Sequence, residues 1–300
     1  MGYHTPVLLK ESVEGLNIRH DGTYVDLTFG GGGHSREILS QLDGGRLIAF
    51  DQDTDAETEA LNITDRQFMF IRSNFRFFRN FLRYYKIDMV DGILADLGLS
   101  SHHIDTPERG FSFMSAVRPD MRMNPDSPLT ALDILNSYSI ESLKNVFRIF
   151  GEVHNAGKLA RTIINAREKQ PFDDMAGLLR SISGCIPSRQ ESRYLAKVFQ
   201  ALRIEVNNEL EVLKHMLLQV LLSLKKDGRL VIISYHSLED RIVKNFMRTG
   251  KPEGSIEKDF FGNPLVPFEL VTKKVVMPEE EEIKTNKRAR SARLRIARRN

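Results

Sequence analysis

The chain holds one cysteine, Cys185, among 300 residues. A single thiol excludes an internal disulfide framework and argues against a thiolate zinc site, and it fits a reducing compartment. No apolar run approaches the ~18 residues of a membrane-spanning helix. The opening Met1-Gly2-Tyr3-His4-Thr5-Pro6 lacks the apolar core of a secretory signal. Internal repeats are absent. Usable metal-ligand spacing is absent too: His102 and His103 are neighbours, which regular structure points apart, and no Cys or acid completes a set. Net charge is small, at +3 from 43 Lys and Arg against 40 Asp and Glu. These absences lead us to expect a soluble, cytoplasmic protein that binds no metal and no membrane.

What is present is a globular composition, 41% hydrophobic and 28% charged, enough to build a core. The charge is unevenly spread. Lys284 to Asn300 carries eight cations and no acid, so the rest of the chain sums to −5. A basic terminus on an acidic body suits a polyanionic partner. Within it, Arg293-Leu294-Arg295-Ile296 alternates as a half-buried strand does.

The densest signal runs from Tyr24 to Asp53. Tyr24-Val25-Asp26-Leu27-Thr28-Phe29 reads as a strand, Gly30 to Gly33 as a turn, His34 onward as a helix, and Leu47-Ile48-Ala49-Phe50-Asp51 as a second strand. Such a unit makes a crevice for an adenosine-bearing ligand at the carboxyl ends of parallel strands. Glycines let the backbone approach the ligand. Asp51 lies 18 residues past Gly33, near the ~20-residue spacing of a ribose-binding carboxylate. Ser35 replaces the third glycine of the dinucleotide fingerprint, and Asp26 precedes Gly30 by four residues. That pattern is similar to the first motif of S-adenosylmethionine methyltransferases.

Strands are expected at Thr23–Thr28, Arg46–Phe50, Phe68–Ile71 and Gly92–Ala95, with helices between them at His34–Gln41, Asp55–Leu61 and Phe75–Tyr85. Alternation of this kind implies a doubly wound, parallel sheet. Ser100 to Asp126 is rich in turns, and Leu129 to Val206 reads as helical throughout. The sheet then resumes. A helix through Leu210, Leu213 and Leu217 is expected to end at Lys225-Lys226-Asp227-Gly228. Strand Arg229–Ser234, helix Ser237–Arg248 and strands Phe268–Thr272 and Ala292–Ala297 follow. The acidic run Glu279 to Glu282 reads as a solvated loop.

Four strand ends carry polar chemistry: Gly30–His34, Asp51, Asp96-Leu97-Gly98-Leu99-Ser100-Ser101, and Ser234-Tyr235-His236-Ser237-Leu238-Glu239-Asp240-Arg241. In a doubly wound sheet they converge on one crevice. Ser237 with Asp240 also reads as a helix-capping pair.

Those stretches, with Asp26-Leu27-Thr28-Phe29-Gly30-Gly31-Gly32-Gly33-His34-Ser35, Arg109-Gly110-Phe111-Ser112-Phe113, Asp120-Met121-Arg122-Met123, Phe199-Gln200-Ala201-Leu202-Arg203 and Arg288-Ala289-Arg290-Ser291, resemble the MraW family of bacterial small-subunit rRNA methyltransferases from end to end. The resemblance implies an α/β, Rossmann-like class I methyltransferase with an inserted all-helical domain. It divides the chain into a first catalytic part over 1–103, a helical substrate-recognition insertion over 104–207, and a second catalytic part over 208–300 ending in the basic segment. It implies methylation, from S-adenosylmethionine, of N4 of cytidine 1402 at the decoding centre of 16S rRNA, with the small ribosomal subunit as partner. Cofactor contacts would be Gly32, Gly33, His34, Asp51, Phe75, Asp96 and His103, where relatives carry glutamine. The proton acceptor would be Asp96 or His236. Arg109, Arg122, Arg203, Arg241, Arg288, Arg290 and Arg293 are candidate RNA contacts. Monomer and homodimer both remain open. Competing readings are an NAD-dependent oxidoreductase and a non-catalytic ribosome-binding factor.

Overall fold

A run of buried apolar residues on both faces makes an inner parallel strand, and three segments have this character. Leu47 to Phe50, Ile93 to Ala95 and Leu230 to Ile233 are all 0% exposed. They form the centres of β2 (Arg46–Asp51), β4 (Val90–Asp96) and β5 (Leu224–Ser234). With β1 (Thr23–Asp26), β3 (Phe68–Arg72), β6 (Phe268–Leu270) and β7 (Arg293–Arg299), they build one seven-stranded sheet in a computed structural model describing residues 6–100, 105–112 and 117–300. The order is β3-β2-β1-β4-β5-β7-β6; β7 alone runs against its neighbours. The strand order reverses between β1 and β4, the switch point where α/β sheets bind ligands.

Register fixes what meets there. Asp26 pairs across to Ala49 and Leu94, Asp51 to Arg72, and Asp96 to Ile233. The carboxyl ends of β1, β2, β4 and β5 therefore stand side by side. Helices α1 (Leu9–Leu16), α2 (Gly33–Ser40), α3 (Thr54–Ala60) and α4 (Phe78–Tyr84) accompany the first strands. The core lies on both sheet faces: Leu217, Val220 and Phe246 pack with Ile93 and Ile232, while Leu16 and Ile38 pack with Leu94 and Ile233. Burial of each such side chain is worth about 1.5–3 kcal/mol.

The chain folds as two compact units, residues 1–98 with 210–300, and residues 99–209. The second is helical: α5 (Ala131–Ser137), α6 (Ile140–Ile149), α7 (Ala156–Arg167), α8 (Met175–Ile182) and α9 (Glu191–Asn207). Leu143, Phe147, Leu159, Ile163, Leu178, Val198 and Leu202 are 0% exposed and form its core. A reciprocal cap, Thr130 with Asp133, starts α5. Among the described residues no helix is long and apolar enough to cross a membrane.

Several local expectations are corrected. The next helix, α10 (Glu209–Val220), ends at Val220, and Lys225-Lys226-Asp227-Gly228 lies inside β5 as a register shift. Leu224, 1% exposed, pairs with Val90 before the shift, and Asp227 rather than Gly228 takes the left-handed conformation. Burial of Leu224 at the start of the strand overrides the helix-ending pattern. The acidic run is not a loop but begins α12 (Glu280–Thr285), and Glu282 Oε1 accepts from Leu8 N–H at 2.8 Å at the start of α1.

The last part of the basic segment, Arg293–Arg299, is absorbed into the sheet. Leu294 and Ile296 of β7 point into the core, and the alternate arginines face α11 (Ser237–Thr249). Asp240 on α11 accepts from Arg295 at 2.7 and 3.1 Å and from Arg293 at 3.2 Å. Burial pushes the Asp240 carboxyl up, but the two guanidiniums more than offset this and hold it below the usual range. Asp240→Ala is expected to cost about 2 kcal/mol at pH 7, since it strands the largely enclosed Arg295 and removes a partner of the more exposed Arg293. The deficit shrinks as pH falls through the depressed carboxyl pKa, where the wild-type pair is itself lost. Urea unfolding at pH 7 checks this; an unchanged midpoint contradicts it.

Candidate active site

The site grows from the end of β1. Asp26 is 0% exposed, yet both of its oxygens are used: Oδ1 accepts from Thr28 N–H at 3.1 Å and Oδ2 from the Ser35 hydroxyl at 2.7 Å. Ser35 thus occupies the third-glycine position to tie α2 to the strand. Burial raises the Asp26 carboxyl to about 6, against the lowering by Ser35 and Thr28. Between these anchors the turn needs glycine. Gly30 and Gly32 have φ of 53° and 76°, and a Cβ on Gly32 would lie 2.6 Å from the Phe29 ring.

Asp51 ends β2 and reaches back to this turn. Its Oδ2 accepts from Gly30 N–H at 2.8 Å and its Oδ1 from Asp53 N–H at 3.0 Å. The loop after β3 is tied alongside: Ser73 N–H donates to the Asp51 carbonyl at 2.8 Å, and Asn74 Nδ2 to Gln52 Oε1 at 2.8 Å. Phe75 follows directly, opening a 3-10 turn and packing on the core.

Asp96 ends β4. Its N–H donates to Thr28 Oγ1 at 2.6 Å, which ties the ends of β1 and β4 together. The Tyr235 hydroxyl donates to Asp96 Oδ1 at 2.8 Å. His34 Nδ1 stands 4.0 Å from Oδ2. The side chain of Asp96 is 22% exposed, so one edge of the carboxyl remains open. Burial raises it to about 7; Tyr235 lowers it, and the charges of Asp26 and Glu239 raise it further. His34 is 5% exposed, and burial lowers it to about 4, so the imidazole is neutral at pH 7. The tautomer that donates Nε2–H to the Val7 carbonyl, at 3.2 Å, leaves Nδ1 as an acceptor.

The raised Asp96 carboxyl has a consequence for stability. Its folded pKa lies above the ~3.9 of an unfolded aspartate. The contribution is therefore present below that value and lost as pH rises through about 7. Without cofactor, Asp96→Asn is expected to gain stability relative to the wild type as pH rises from about 4 to about 7, and to keep that gain above it. A stability difference that does not change with pH, measured by urea unfolding, contradicts this.

His236 is placed differently from the expectation that makes it a rival acceptor. It is the N-cap of α11: its ring accepts from Glu239 N–H at 3.4 Å, and Glu239 Oε2 accepts from the N–H groups of Tyr235, at 3.0 Å, and His236. Nε2 lies 3.2 Å from Glu239 Oε1 without hydrogen-bond alignment. The cap is thus one residue earlier than the Ser237–Asp240 pair.

Three candidate RNA arginines are structural ties of the helical unit. Arg122 is bonded twice to Asp120 and also to the Pro125 and Ser127 carbonyls. Arg203 is bidentate to Glu209 at 2.8 and 2.9 Å, with both side chains nearly buried. Arg109 donates to the Arg122 and Met123 carbonyls. Arg293 pairs with Asp240 as described. Arg241 and Arg290 are exposed and Arg288 is half-buried. His103 lies outside the described residues. Thr28, Tyr235 and Glu239 complete the site without having been singled out; their one sequence signal is position, just past a strand end. A cleft of about 480 Å³ lies at the opposite, amino ends of the strands, by Thr23, Arg46 and Lys225, and includes none of these residues.

This strand order with a reversed β7, a glycine turn after β1 and carboxylates ending β2 and β4 defines a class I methyltransferase of the Rossmann-like type. The MraW methylase family model matches residues 1–300, and the chain belongs to that family. It is 58% identical over 296 residues to a Bacteroides thetaiotaomicron protein named ribosomal RNA small subunit methyltransferase H, covering 98% of this chain and 97% of that one. Proteins of the same name from Cytophaga hutchinsonii, 54% identical over 297 residues, and Flavobacterium johnsoniae, 51% over 298, are covered at 96% or more of both chains. The cofactor of this class is S-adenosylmethionine. The residues fit it: a turn without Cβ atoms, and two carboxylates each with accepting capacity beyond the bonds described. These findings displace the oxidoreductase reading.

Proposed function

We propose that this chain methylates N4 of a cytidine in small-subunit rRNA, cytidine 1402 by family resemblance. The observation that carries the reading is Asp96 at the end of β4: its backbone N–H is tied to Thr28, and its carboxyl, held by the Tyr235 hydroxyl, is open on one edge and 4.0 Å from His34 of the glycine turn. The cytosine amine is a poor nucleophile because its lone pair is delocalised into the ring. A carboxylate that accepts from its N–H favours the pyramidal, nucleophilic form and takes the proton as the new bond forms. S-adenosylmethionine supplies an electrophilic methyl group on a sulfonium. Asp51 would hold the ribose hydroxyls, the backbone at Gly32 and Gly33 would lie against the cofactor, and Phe75 would flank the adenine. His34, neutral and buried, adds no positive charge to repel the sulfonium.

The alternative of carbon methylation at C5 needs a thiolate that adds to the ring. The only cysteine, Cys185, is buried in the helical unit with Sγ 3.3 Å from the Thr162 hydroxyl. The target base must leave its stack to reach the methyl group. Arg109, Arg122, Arg203, Arg241, Arg288, Arg290 and Arg293 stay the candidate phosphate contacts, of which Arg241 and Arg290 are the more exposed. A reaction on rRNA puts the protein in the cytoplasm. Mass-spectrometric mapping of 16S rRNA from cells with and without the protein tests the reading: one methylcytidine at the decoding centre should vanish with the gene. An unchanged methylation map would contradict it.

A further inference from the structure

Tyr235 is the first residue after β5, the strand that neighbours β4. Two things fix it. Its N–H donates to Glu239 Oε2 at 3.0 Å, and its ring lies over Gly98, where a Cβ would stand 3.0 Å from the ring edge. Gly98 has φ of 117°, so glycine is required there both by conformation and by the ring. So held, the hydroxyl donates to Oδ1 of Asp96 and leaves Oδ2, the oxygen toward His34, without that donor. We infer that Tyr235 is a positioning residue: it orients the Asp96 carboxyl so that Oδ2 receives the amine proton. The inference rests on Asp96 being the acceptor.

The groups around Asp96 make the donor necessary. Asp26 on β1 and Glu239 on α11 are acids, and His34 on α2 is neutral. Burial and both acids oppose a second negative charge, and Tyr235 is the neighbour whose hydrogen bond opposes them. The hydroxyl keeps its proton for this purpose: burial first, then Asp96, with smaller contributions from Glu239 and Glu282, hold it well above its usual range. A donor to a charged acceptor shifts that acceptor's titration by roughly one to two pH units.

The test is the pH dependence of kcat for the full-length protein with S-adenosylmethionine and small subunits. Turnover requires ionised Asp96, so it falls on the acid side. Tyr235→Phe keeps the ring over Gly98 and is expected to move that acid limb up by about one pH unit. Its KM for S-adenosylmethionine should change less than about threefold, and turnover should approach wild type at high pH. Fluorotyrosine at position 235, a stronger donor, should move the limb down. Limbs that superimpose in all three proteins, whatever their height, would overturn the inference. Asp96→Asn separates the two ideas: if it retains turnover, the acceptor reading itself fails; if it is inactive while the Tyr235 limbs do not move, only the role of Tyr235 fails.

Discussion

Asp96→Asn is expected to lower kcat by about 10²–10⁴, the usual contribution of a positioned proton acceptor. The amide keeps the size of the side chain and can still accept from Tyr235 through its carbonyl, so the scaffold persists. What it loses is the capacity to take the amine proton. S-adenosylmethionine affinity should change by less than about tenfold, because cofactor binding needs at most a neutral hydrogen bond here. RNA binding should be nearly unchanged. Single-turnover kinetics with saturating cofactor separate these quantities. Equal losses in binding and turnover would reduce Asp96 to a structural bond between β4 and the end of β5.

Asp51→Ala is expected to weaken S-adenosylmethionine by about 1.5–3 kcal/mol, roughly 10- to 150-fold in Kd. Two effects combine. The substitution removes the carboxylate assigned to the ribose, and it also frees the Gly30 and Asp53 N–H groups that now bond to it at 2.8 and 3.0 Å. Asp51→Asn retains an acceptor for one of these bonds and should lose less. Titration calorimetry reads both variants. An affinity equal to wild type in Asp51→Ala would remove Asp51 from the cofactor site.

The parts of this molecule that a sequence displays are those set by neighbours along the chain. The buried runs of β2, β4 and β5, and the glycine turn after β1, could be read directly because periodicity and backbone freedom are local properties. The doubly wound, mostly parallel sheet follows from their alternation with helices. Order and register then bring the strand ends together, and these depend on the whole fold. Tyr235 and Asp96 are 139 residues apart and Thr28 and Asp96 are 68 apart, and no local pattern announces either bond. The same holds for Glu282, which meets Leu8 across 274 residues. His236 drew attention as a catalytic type, although a histidine before a helix can also cap it, and only the fold shows that it does so, through Glu239. Alternation announces the C-terminal strand, but not the partner of its arginines: β7 pairs with β5 and brings Arg293 and Arg295 against Asp240. Charge density along a sequence does not reveal how much of it is neutralised in the fold.

Transfer of labelled methyl groups by the purified protein onto small ribosomal subunits, followed by digestion and fragmentation of the modified nucleoside, tests the central claim most directly. The account predicts label on the exocyclic nitrogen of cytidine, abolished by Asp96→Asn. Label on ring carbon C5, or undiminished transfer by that variant, would contradict it.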